Sequence, residues 1–124
     1  PMATTKLPET HTWAALAAVD LSAKLHYFAK VDSTGKIDLC ADGGPCIGNL
    51  YEVAEAARSV SVQFGGIGKV IAAETIAIGA RIASDTNGKA VAAAVGDWIV
   101  GIAISGADAN EVLSFIHASS TRHA

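Results

Sequence analysis

The chain has 124 residues, 51% of them hydrophobic and 17% charged, with a net charge of −3. That length suits one domain with a modest core, and the balance excludes both a disordered chain and a basic nucleic-acid-binding face. No uncharged stretch exceeds ten residues, against about 18 for a membrane helix, and no basic-then-apolar leader pattern is present.

Residues 1–20 read as an N-terminal arm. Met2–Thr10 is Thr-rich and interrupted by Pro8, which predicts extended chain. Trp13–Ala18 predicts a short helix capped by Thr12, too short to persist without packing from elsewhere. Leu7, His11, Trp13 and Leu16 are the arm's candidate contact residues, with Trp13 either the aromatic anchor for a partner's pocket or folded back on its own barrel. Removing Pro1–Ala18 is expected to leave the remaining body folded.

Residues 21–117 read as an all-β barrel or sandwich made of two copies of one unit, 21–64 and 74–117. A shift of 53 residues lays Asp32-Ser33-Thr34-Gly35-Lys36 on Asp85-Thr86-Asn87-Gly88-Lys89, Gly43 on Gly96, and Ile47-Gly48 on Val100-Gly101. In each unit a short apolar strand (Leu25–Val31; Ala80–Ala83) enters an Asp-x-x-Gly-Lys turn. Asp32 or Asp85 can bond the turn amides, and Gly35 or Gly88 supplies the positive φ that closes it. A longer strand follows (Pro45–Tyr51; Asp97–Ile104), whose central Gly48 or Gly101 marks a bulge or a close backbone approach. An alternating strand closes the unit (Ser59–Phe64; Val112–His117). Alanine is abundant, at 25 residues, but Gly and β-branched residues interrupt it too often for long helices.

Between the units lies VQFGGIGKVIA. It fails the Walker pattern because Gln63 stands at the first glycine position and Val70 follows Lys69. It fails the dinucleotide pattern because Ile71 stands where a third glycine should. The glycines are therefore expected to turn a corner between the units, and Lys69 to be a solvated edge-strand lysine. The last residues, 118–124, read as a frayed tail.

A search for chemistry returns none. No serine has the glycine spacing of a nucleophile elbow. His26 and His117 fall on predicted strands without metal spacing, and the aspartates fall in turns. Cys40 and Cys46 are separated by five residues, which is neither a redox nor a zinc spacing. Two small apolar thiols flanking a turn are favoured there, with a disulfide across that turn left open but surprising in a cytosolic product. Trp98, at the start of a long strand, is expected in the core or at a subunit interface. Catalytic, cofactor-binding and metal-binding residues are all expected to be absent.

The runs DLSAKLHYFAKVDSTGKIDLCADGGPCIGNL and VSVQFGGIGKVIAAETIAIGARIASDTNGKAVAAAVGDWIVGIAIS resemble the capsid decoration, or cement, proteins of tailed bacteriophages. The shared order is an LSAK-like start, D-x-x-G-K, an IG-containing strand, G-G-I-x-K-V, a second S-D-x-x-G-K-A-V turn and a final G-I-A strand, over about Asp20–His117. The resemblance implies a small β-tulip-like homotrimer on the outer surface of an expanded phage head. Its partner would be the major capsid protein, whose neighbouring subunits it clamps. No nucleic acid, membrane or small-molecule substrate is implied, and the protein would be made in the host cytoplasm. The alternative is a virion-displayed or bacterial module that binds carbohydrate or a cell surface, although seven aromatic residues are few for a sugar platform.

Overall fold

A computed structural model describes residues 11–122, with side chains as far as Ala118. Its ten strands are β1 (Thr12–Leu16), β2 (Phe28–Val31), β3 (Ile37–Leu39), β4 (Gly48–Glu52), β5 (Ser59–Gln63), β6 (Ile67–Ile71), β7 (Arg81–Ser84), β8 (Ala90–Ala92), β9 (Trp98–Ala103) and β10 (Val112–Arg122). They form two five-stranded antiparallel sheets, ordered β1-β5-β4-β2-β3 and β6-β10-β9-β7-β8. The described residues contain no helix, and hence none long and apolar enough to cross a membrane. The chain is all-β and built from two repeated halves.

The repeat extends to backbone conformation. Positive φ recurs at an offset of 53 in four pairs: His26 and Gly79, Gly35 and Gly88, Gly43 and Gly96, Ala57 and Asn110. At the Asp-x-x-Gly-Lys turns, Asp32 Oδ1 accepts from the Thr34 hydroxyl at 2.7 Å and from the Thr34 and Lys36 amides at 2.9 Å. Asp85 Oδ1 accepts from the Asn87 and Lys89 amides at 2.8 and 2.9 Å. These bonds satisfy turn amides locally, and Gly35 and Gly88, at φ +83° and +85°, complete the reversal without a Cβ penalty.

Each sheet curves far enough for its edge strands to touch at a single parallel bridge, Ala17 to Ile37 in the first and Ala72 to Ala90 in the second. On the concave side of the first sheet, Ala17, Leu21, Ala29, Ile37, Leu50, Val60 and Val62 form one apolar cluster. The second cluster, centred on Ile82, Val100, Leu113 and Phe115, also takes in Phe28 and Cys40 from the first half. The two sheets thus share a core, and Phe28 meets Phe115 edge-on with ring centroids 5.6 Å apart.

Three expectations are corrected. Thr12–Leu16 is a strand, not part of a capped helix or a free arm: it pairs antiparallel with β5 from Thr12↔Gln63 to Leu16↔Ser59. Its inward residue Ala15 packs on the core and Ala17 is fully buried. Tertiary pairing has overridden the helical propensity of an alanine-rich run. Second, the strand does not end at His117: β10 continues along β9 to Arg122, through Ser120↔Ile99 and Arg122↔Trp98, with register shifts on the way. Third, Cys40 and Cys46 are joined by a disulfide across the Gly43-Gly44 turn, their Cα atoms 5.7 Å apart. The extended chain expected for Met2–Thr10, and Leu7 within it, lie outside the described residues.

Candidate functional site

Two features stand out on the surface, and each follows from how the strands alternate. Along β1, Trp13 and Ala15 face the concave side with their partners Val62 and Val60, while Thr12, Ala14 and Leu16 face outward. The core beneath ends at Val62, so the next inward residues have nothing above them. Trp13, Val31, Cys46, Ile47 and Phe64 therefore line an apolar mouth of about 670 Å³ at the open end of the first sheet. His11 stacks on Phe64 with ring centroids 5.8 Å apart, and its carbonyl accepts from the Phe64 amide at 2.9 Å.

The second feature is a crevice of about 240 Å³ where β4 passes β6, lined by His26, Asn49, Tyr51, Gln63, Ile67 and Lys69. Asn49, from its lining, has Oδ1 2.9 Å from His117 Nε2, and the His117 ring tilts against Phe115 with centroids 4.6 Å apart. Gly68 makes room for that pair, since a Cβ there would come within 2.7 Å of His117 Nε2. Burial pushes the His117 imidazole down to about 4. Burial, and then the charge of Lys69, also lowers that of His26, whose buried Nδ1 has no hydrogen-bond partner. One imidazole, two amides, a phenol and an ammonium line this crevice, with no carboxylate among them. Among the described residues no group of three or more His, Cys, Asp or Glu is placed to hold a metal.

Of the arm residues singled out from the sequence, the three within the described residues do not converge. Trp13 points into the mouth and His11 borders it, whereas Leu16 lies on the opposite face of β1, and both Trp13 and Leu16 are substantially exposed. The repeated glycines act within the sheets: a Cβ at Gly48 would overlap the Gln63 carbonyl oxygen, and one at Gly101 would overlap the Ile116 carbonyl oxygen and the Phe115 ring. Asp32 and Asp85 remain in their separate turns. Sequence reasoning missed the mouth. Val31, Ile47 and Phe64 fall on predicted strands, and only the sheet's curvature shows that they line an open end.

No family model matches the chain, and the comparison with curated proteins finds no match either. Among solved structures it is similar to the N base of head fiber gp8.5 in bacteriophage phi29, with a TM-score of 0.70 and 16% sequence identity. The likeness covers 93% of this chain and 100% of that one. At this identity what is shared is the fold: the same arrangement of strands serves as the base of a phage head fibre.

Proposed function

We propose that this protein is a non-enzymatic structural component of a bacteriophage virion, seated on the outer surface of the expanded head. The observation that carries the reading is the fold likeness to a phage head-fibre base along that base's whole length. It meets the independent resemblance of the turn and strand motifs to capsid decoration proteins.

In this reading three copies associate and clamp neighbouring subunits of the major capsid protein. Internal pressure from packaged DNA separates capsomers, and a clip resists by spanning their seams. One short contact worth about millimolar affinity, near −4 kcal/mol, becomes useful when a rigid trimer makes its later contacts intramolecular, raising avidity by roughly 10²–10⁴. Leu7 and the outward Leu16 are assigned to the head. β1 is an edge strand of its sheet, which suits backbone pairing with a capsid loop.

The test is to add purified protein to expanded heads and to procapsids. Cosedimentation with expanded heads alone, together with a raised disruption temperature, is the expected result. Binding to neither form removes the proposal.

A further inference from the structure

The two halves of this chain meet along a seam that uses different surfaces of each. From the first half the outward face contributes a cross-strand row, Phe28–Asn49–Gln63, paired in register across β2, β4 and β5. From the second half comes the open end of its sheet: Phe28 packs on Phe115, and Asn49 reaches His117. The disulfide loop completes the seam, with the Gly43 amide donating to Ser84 O at 2.9 Å and the Trp98 amide donating to Gly43 O at 3.1 Å. An outward face of one half thus plugs the mouth of the other.

Each half also carries the complementary surface, without a partner among the described residues. The mouth of the first half is the apolar opening lined by Trp13, Val31, Ile47 and Phe64. Strand pairing makes these the counterparts of Gly68, Ser84, Val100 and His117, which lie at the plugged end of the second half. The outward row of the second half is Arg81–Ile102–Ile116, paired in register across β7, β9 and β10. It occupies the positions of Phe28, Asn49 and Gln63. Those three are 0%, 1% and 3% exposed, whereas Ile102 and Ile116 are 39% and 45% exposed. Two isoleucines side by side on the outside of a sheet stand where the first half has buried polar groups. The loop Ala94–Asp97 corresponds to the disulfide loop and carries Val95 at its tip, 80% exposed.

We infer that copies of this chain join head to tail by repeating the internal seam. The Arg81–Ile102–Ile116 face and the Val95 loop of one copy close the Trp13–Phe64 mouth of the next. The chemistry matches on both sides, apolar row to apolar mouth. Arg81, in place of Phe28, brings a cation to an opening walled by Trp13 and Phe64, whose ring faces attract it. A head-to-tail contact closes into a ring or grows into a filament. The inference deepens the three-copy part of the proposed function by naming its interface, and selects the ring. It concerns isolated protein, so its failure is distinguishable from failure of head attachment.

The experiment is sedimentation velocity and light scattering on wild-type protein and on Ile102→Glu, Val95→Asp and Phe64→Asp, each checked for an unchanged far-ultraviolet spectrum. Wild type is expected to form a closed three-copy species, and each substitution to weaken association by roughly 30-fold or more. The decisive arm mixes Ile102→Glu with Phe64→Asp. Each is expected to be monomeric alone, while the mixture forms a one-to-one dimer, because one intact face and one intact mouth remain. If Ile102→Glu fails to fold, Val95→Asp replaces it in the mixture. A monomeric wild type overturns the inference, as does an oligomer indifferent to these substitutions or a mixture that stays monomeric. A monomer whose tryptophan emission shifts when residues 1–10 are removed puts the chain's own leading segment in the mouth, which also overturns it.

Discussion

Protonating His117 should loosen the seam between the halves. In the folded chain its Nε2 is paired with Asn49 Oδ1 at 2.9 Å, which places the proton on Nε2 and leaves Nδ1 as the basic atom. The ring lies against Phe115 in a region where burial lowers its pKa from 6.5 to about 4. The folded value lies below the unfolded one, so acid favours the unfolded chain. The stability held by the neutral ring is complete above about pH 6.5 and is lost as pH falls toward 4. At about 1.4 kcal/mol per tenfold in proton affinity, that interval sets a ceiling of ~3 kcal/mol. Partial solvent access to the ring reduces the expected loss to about 1–2 kcal/mol. His26 shifts in the same direction and adds to the slope. The Asp20 and Asp32 carboxyls, held below the usual carboxylate range chiefly by the Ser22 and Thr34 hydroxyls, act in a different window. Their contribution is present above 3.8 and lost only as pH falls below it. Urea unfolding of wild type and His117→Gln at about pH 7.5 and about pH 4.5 separates these effects. The variant is expected to lose less stability on acidification than wild type. Equal losses in the two proteins would refute the assignment of the acid response to this ring.

Four other outcomes are expected. Ala57, at φ +65°, holds a left-handed conformation that its counterpart Asn110 shares at +69°; Ala57→Asn should stabilise the fold by about 1 kcal/mol, measured by urea unfolding. Gly101→Ala drives a Cβ into the Ile116 carbonyl and the Phe115 ring, and thermal unfolding should show a loss of about 3 kcal/mol. Reducing the Cys40–Cys46 disulfide reopens a short loop, which should lower stability by about 2 kcal/mol in matched titrations with and without reductant. Against the sequence expectation that the body would stay folded, deleting residues 1–18 removes the whole β1–β5 ladder and buried Ala17, and calorimetry should then show no cooperative transition.

How much of this could be read from sequence depends on whether a position's role is local. The Asp-x-x-Gly-Lys turns were legible because the carboxylate, the amides it bonds and the positive-φ glycine lie within five consecutive residues. The strand between each pair of turns followed from its apolar residues. β1 was not legible. In Thr12–Leu16 both faces carry apolar residues, Trp13 and Ala15 inward and Ala14 and Leu16 outward, so alternation carries no contrast, and the run Trp13–Ala18 reads as helical. Its counterpart β6 stands 55 residues on rather than 53, as the Val62↔Trp13 and Phe115↔Gly68 pairings show, so an ungapped shift passes it by.

The seam was hidden for a related reason. Exchanging Phe28, Asn49 and Gln63 for Arg81, Ile102 and Ile116 looks, in sequence, like ordinary drift between duplicated units. Once the sheets show these residues on the outward face, the exchange acquires direction. A buried polar group needs a hydrogen-bond partner, and Asn49 and Gln63 have theirs across the seam or at the corner between the halves, at His117, Gly65 O and Ile67 O. Ile102 and Ile116 need only to be covered. A half that plugs its neighbour within the chain is thereby fixed in one orientation by specific bonds, while the equivalent face left outside is apolar and suited to association between separate copies. Duplication supplied two mouths and two plugs but used only one of each within the chain. In the proposed reading, the unused pair is the surface that joins separate copies.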